Sequence, residues 1–90
     1  MSDNHKILRL NSAKGYVAIS RSTFYLQISQ GLIPKPVKIG ARAVGWPSYE
    51  INAILNARIA GKSADEIKSL VIELENQRIA NYEYGSADYV

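Results

Sequence analysis

Residues 20–31 read Ser-Arg-Ser-Thr-Phe-Tyr-Leu-Gln-Ile-Ser-Gln-Gly, and residues 34–46 read Pro-Lys-Pro-Val-Lys-Ile-Gly-Ala-Arg-Ala-Val-Gly-Trp. The first stretch predicts a short helix over about Arg21 to Gln30. Ser20 caps it by accepting from the amide of Ser22 or Thr23, and Gly31 ends it at the C′ position. At 100° per residue, Phe24, Ile28 and Gln27 turn inward, while Ser22, Tyr25, Leu26 and Ser29 turn outward. In the second stretch Pro34 and Pro36 forbid a helix interior, and Val37-Lys38-Ile39 alternates with period two. Gly40-Ala41-Arg42 then supplies a turn, and Ala43 to Trp46 returns as a second extended run, which makes a β-hairpin. Trp46 at the hairpin base is expected in the core.

Upstream, Ser12 is expected to cap a first helix running to about Ala18, with Tyr16 and Val17 as its buried contacts and Gly15 as its weak point. A three- or four-residue turn then separates two short helices, the pattern of a helix-turn-helix, and a hairpin directly after it is a wing. Lys6 to Leu10 reads as a short strand or extended lead-in. Downstream, Ser48 is expected to cap a third helix over Tyr49 to Ala60, with Ile51, Ile54 and Leu55 on one stripe and Gly61 at its end. Ser63 and Glu66 form a capping box for a helix over 64–80, whose Ile67, Leu70, Val71 and Leu74 share a face expected to pack within the chain. Residues 81–90 read as a flexible tail, with Tyr82, Tyr84 and Tyr89 as candidates for docking on a partner. The fold expected is mainly α with a small β-hairpin: a winged helix-turn-helix over residues 1–62, a C-terminal helix over 63–80 and a tail over 81–90.

Ninety residues, 47% hydrophobic and 21% charged, suit one folded domain. The longest apolar run is Tyr16 to Ile19, far short of the ~18–20 residues of a membrane span. Arg9 breaks the only candidate for a secretory core, so a cytoplasmic location is expected. The absence of cysteine removes disulfides, thiolate chemistry and cysteine zinc sites, and one histidine offers little to a metal. No cofactor or small-molecule ligand is expected. Catalysis is not expected either, because Glu50 in a helix's first turn and His5 near the terminus are the only tempting acid–base groups.

The +3 net charge is unevenly spread. Residues 1–49 carry seven basic groups against Asp3 alone, a net +6, whereas residues 50–90 carry four against seven acids, a net −3. A basic half on a small domain is the electrostatic footprint of a phosphate-backbone binder. The outward face of the 21–30 helix carries hydroxyls, a tyrosine and a leucine where a solvated helix prefers Glu and Lys, and such groups suit DNA phosphates and base edges. Duplex DNA is the expected partner. Arg21, Lys35, Lys38 and Arg42 are expected to neutralise phosphates, while Ser22, Tyr25 and Leu26 meet bases or sugars. The rival from another class is a protein-interaction module that works through the C-terminal helix.

The combination of Ser20-Arg21-Ser22-Thr23-Phe24-Tyr25, Gly31, Pro34 to Gly40, Arg42 and Ala43-Val44-Gly45-Trp46 resembles the AlpA family of phage and prophage regulators, over about residues 7–60. That family looks like a relative of MerR-type winged helices and of small excisionases. The resemblance implies a bacterial, sequence-specific DNA-binding regulator of integrase or excision genes, or a recombination directionality factor. An integrase, or a second copy on DNA, is then a further partner. It also matches Arg21, Ser22, Thr23 and Tyr25 to the start of a recognition helix, and Lys35, Lys38 and Arg42 to the wing. Leu26 and Gln27 depart from the family's usual arginine and apolar residue.

Overall fold

A computed structural model describes residues 6–88, with side chains through residue 82. Its elements run β1 (Ile7–Leu8), α1 (Leu10–Tyr16), α2 (Arg21–Ser29), β2 (Val37–Lys38), β3 (Val44–Pro47), α3 (Ser48–Ile59) and α4 (Ala64–Asp88). The architecture is mainly helical with a small antiparallel sheet, a winged helix-turn-helix followed by a long helix.

The second helix begins and ends as its sequence dictates. The Ser20 hydroxyl accepts from the Thr23 amide, and Gly31 takes φ +80°. The amides of Gly31 and Leu32 then donate to the carbonyls of Ile28 and Gln27, which closes the helix in a Schellman motif. The first helix departs from expectation at both ends. It starts at Leu10, with Arg9 at the N-cap and no side-chain cap, so Ser12 lies inside the helix. It stops at Tyr16 because Ala18 adopts φ +57°, and the amides of Ala18 and Ile19 donate to Gly15 and Lys14. This is the same terminator as at Gly31, built on a residue that carries a Cβ and therefore resists the left-handed region. Tyr16 is exposed rather than buried. Its expected place is taken by Ala13, whose small side chain brings α1 close to the core.

The hairpin pairs Val37 with Gly45 and Lys38 with Val44, and the Ile39 amide donates to the Ala43 carbonyl. The lead-in strand adds a feature beyond the hairpin: β1 pairs antiparallel with β3, Ile7 opposite Pro47 and Leu8 opposite Trp46, giving a sheet of order β1-β3-β2. Ser48 fastens this pairing. Its amide donates to the Lys6 carbonyl, and its hydroxyl accepts from the Lys6 amide. The N-cap of α3 is Pro47, so Ser48 is the helix's first residue rather than its cap.

Two adjoining clusters form the core. Ala13, Phe24, Ile33, Trp46 and Ile51 make the first, with Leu8, Val17, Ile19, Ile28 and Val44 packed around them. The Trp46 ring meets Phe24 edge-on at 5.1 Å, and its indole N–H donates to the buried Pro34 carbonyl at 2.9 Å. That bond satisfies both polar groups where water is excluded. The second cluster joins Ile54 of α3 to Ile67, Val71 and Leu74 of α4, so the C-terminal helix packs within the chain. The Ser63–Glu66 capping box forms as expected, each side chain accepting from the other residue's amide. The Ser63 amide, donating to the Glu66 carboxylate, stabilises its ionised form and lowers the pKa of Glu66.

The fourth helix continues to Asp88, past the boundary expected at 80. Once a packed and capped helix exists, each further residue adds a hydrogen bond at little cost, and no proline interrupts 81–88. His5 and the side chains of Tyr84 and Tyr89 lie outside the described residues.

Candidate nucleic-acid interface

The outward face of α2 is built as its periodicity requires. Phe24 is fully buried, Gln27 and Ile28 are half-buried, and Ser22, Tyr25, Leu26 and Ser29 are exposed. Leu26 is 54% exposed, a large apolar surface left open mid-helix. Thr23 differs from its neighbours. Its hydroxyl accepts from Ser20 Oγ at 3.0 Å and its side chain is half-buried, so it serves the cap rather than the free face. The inward Gln27 has a specific partner: its Oε1 accepts from Arg58 Nη2 at 2.7 Å, tying α2 to α3. Burial lowers the Arg58 pKa, and its Nε has no partner among the described residues.

Beside the N-terminal end of that face lies a concavity of about 410 Å³ lined by Arg9, Leu10, Asn11, Arg21, Tyr25, Arg42 and Val44. Three elements supply it: the start of α1, the first turns of α2 and the wing. Of the residues singled out from sequence, Arg21, Tyr25 and Arg42 are thus brought together. Lys38 is exposed and stands opposite Val44 in the hairpin register, so its side chain leaves the same face of the ribbon as Val44. No carboxylate lines this concavity, and neither α1 nor α2 has an acid in its first turn.

Lys35 stands elsewhere. It lines a groove of about 310 Å³ with Gly31, Lys68, Ile72 and Glu75, toward α4. Its amide donates to Glu75 Oε2 at 2.9 Å, and its carbonyl accepts from Arg78 Nη2 at 2.8 Å. Arg78 also holds both oxygens of the fully buried Glu50, at 2.6 and 2.8 Å, and this pairing raises the Arg78 pKa. Glu50 is therefore a structural anchor beneath the wing's entry rather than an acid–base group in a cleft.

Arg9 is the lining residue that the sequence reading did not select. It sits between β1 and α1, and it reaches the concavity because β1 pairs with β3 and draws the α1 start toward the wing.

A family model described as prophage CP4-57 regulatory protein (AlpA) matches residues 6–59, more than half of the chain. The chain belongs to the AlpA family. The match runs from β1 to the end of α3, so it takes in all three elements around the concavity and leaves α4 outside. This AlpA-family chain is thus a member of a phage regulatory family. No curated protein and no solved structure matches it. Among the described residues, no helix of this AlpA-family chain is long and apolar enough to cross a membrane. No group of three metal-ligating side chains occurs there either.

Proposed function

We propose that the protein binds duplex DNA sequence-specifically and regulates a phage, prophage or integrative element. It acts on integrase or excision genes, or as a recombination directionality factor. The supporting observation is the acid-free concavity in which Arg21 and Arg42 lie beside the exposed face of α2. In this reading α2 enters the major groove, and the hairpin grips the adjoining backbone or minor groove. Arg21, Lys38 and Arg42 neutralise phosphates, while Ser22, Tyr25 and Leu26 contact bases or sugars. Lys35 contributes less, because its groove also holds the Glu75 carboxylate.

The test is enrichment of sites from a randomised duplex pool, followed by affinity measurements on the selected site and on scrambled DNA. Lys38→Ala should weaken both duplexes by a similar factor. Tyr25→Ala should weaken the selected site far more than the scrambled one. Failure to enrich any sequence would overturn the reading. Cooperative filling of tandem sites beside an attachment sequence would mark a directionality factor rather than a transcription regulator.

One observation favours an accompanying activity through the C-terminal helix. Ile72 and Ile79 are 60% and 67% exposed, and their i, i+7 spacing sets them on a face of α4 turned away from Ile67, Val71 and Leu74. We read it as a self-association surface. Sedimentation of the wild type against Ile72→Glu/Ile79→Glu tests this, and a wild type that stays monomeric both free and on tandem DNA sites would end it.

A further inference from the structure

We propose that the concavity between α1, α2 and the wing seats a single backbone phosphate of the bound duplex, held jointly by Arg9, Arg21 and Arg42. The inference rests on the DNA-binding reading and deepens it by adding a residue from outside the helix-turn-helix and the wing.

The five arginines of the chain divide sharply. Arg58 and Arg78 turn inward and are both hydrogen-bonded, to Gln27 and to Glu50. The side chains of Arg9, Arg21 and Arg42 make no hydrogen bond or ion pair among the described residues, and all three residues line one space. They come from three separate segments: the residue before α1, the first residue of α2 and the β2–β3 turn. Cations gathered in this way repel one another. No carboxylate lines the space to offset that repulsion. A phosphodiester would reverse the sign, because its two free oxygens accept from several guanidinium forks at once. Asn11 and Tyr25, in the same lining, carry further donors. The chemistry selects an anion with several acceptor oxygens, and position beside the α2 face selects a phosphate of the DNA backbone.

Sharing one phosphate has a consequence that separate contacts would not have. Each phosphate neutralised contributes about −0.9 to the slope of log K against log salt. Three arginines on one phosphate contribute about −0.9 together, whereas three on separate phosphates contribute about −2.7.

The experiment uses the full chain. First, inorganic phosphate is titrated in while the arginine side-chain N–H signals are followed by NMR. Those of Arg9, Arg21 and Arg42 should move together, and those of Arg58 and Arg78 should stay. Second, anisotropy on a bound duplex compares the wild type with Arg9→Gln and with the triple glutamine variant. Arg9→Gln should weaken binding about tenfold, the size of one lost charge-assisted hydrogen bond, and the triple variant should flatten the salt slope by about 0.9. Third, neutral methylphosphonate linkages placed one at a time should reveal one position that weakens the wild type, weakens Arg9→Gln less and leaves the triple glutamine variant unaffected. Unchanged duplex affinity in Arg9→Gln, or a slope change near 2.7, overturns the shared seat while the DNA-binding reading stands. Joint phosphate shifts without any duplex binding would leave the anion seat and overturn that reading instead.

Discussion

Replacing Arg78 by leucine should be among the most damaging single changes away from the exposed α2 face and the arginine-lined concavity. Glu50 is fully buried, and both its carboxylate oxygens accept from Arg78 alone among the described residues, at 2.6 and 2.8 Å. Removing the guanidinium leaves an ion with neither water nor a partner, which costs about 3–5 kcal/mol. Domains of this kind are stable by only ~5–15 kcal/mol in total. The Lys35 carbonyl also loses its donor, but it lies on an exposed residue where water replaces the bond. Trp46, the sole tryptophan and fully buried, provides the signal for urea unfolding by fluorescence. With a urea dependence of about 1.5 kcal/mol per molar, the midpoint should fall by roughly 2–3 M. The double variant Glu50→Leu/Arg78→Leu should recover most of that loss, since no charge is then stranded. A single-variant loss below about 1 kcal/mol, or a double variant worse than the single, would refute the reasoning.

Two further outcomes follow from local geometry. At Gly45 an added Cβ would overlap Ile7 Cγ2 and lie 3.0 Å from the Leu8 carbonyl oxygen. Gly45→Ala should therefore cost about 1–3 kcal/mol in the same unfolding assay and weaken hydrogen-exchange protection at the β1–β3 pairing. Unchanged protection would mean that β1 does not lie against β3. The Glu66 pKa is lowered from its usual 4.5 by the Ser63 amide bond, so this carboxylate stabilises the fold above pH 4.5 and loses that contribution as pH falls through the lowered value. Glu66→Gln should flatten the acid limb of a stability–pH curve, and an unaltered limb would contradict the capping box.

The second helix and the wing were legible because their signals are local. Ser20, Gly31, the two prolines and the period-two alternation each act within a few residues of themselves. The bounds of the first helix are not legible because its terminator is Ala18 in a left-handed conformation, which glycine would announce and alanine conceals. The β1–β3 pairing joins residues about forty apart, and its only local trace is Gly45, a strand glycine that lets another backbone come close. Without that pairing Arg9 reads as the end of a lead-in rather than a lining residue. The same distance hid Glu50. Its first-turn position suggested a favourable helix dipole, while the decisive partner, Arg78, lies 28 residues away on another helix. Sequence adjacency groups Lys35 with the wing, but the Glu75 and Arg78 bonds to its backbone hold it against α4.

The central claim is that the α2 face, Lys38 and the arginine-lined concavity together form a surface that receives a duplex. The most direct measurement is the affinity for an enriched duplex across a salt series. With the concavity sharing one phosphate and Lys38 holding another, the slope of log K against log salt should be about −1.8, steepening toward about −3.6 if Arg9, Arg21, Lys38 and Arg42 each hold their own. A slope near zero, or no measurable binding at low salt, would contradict the account.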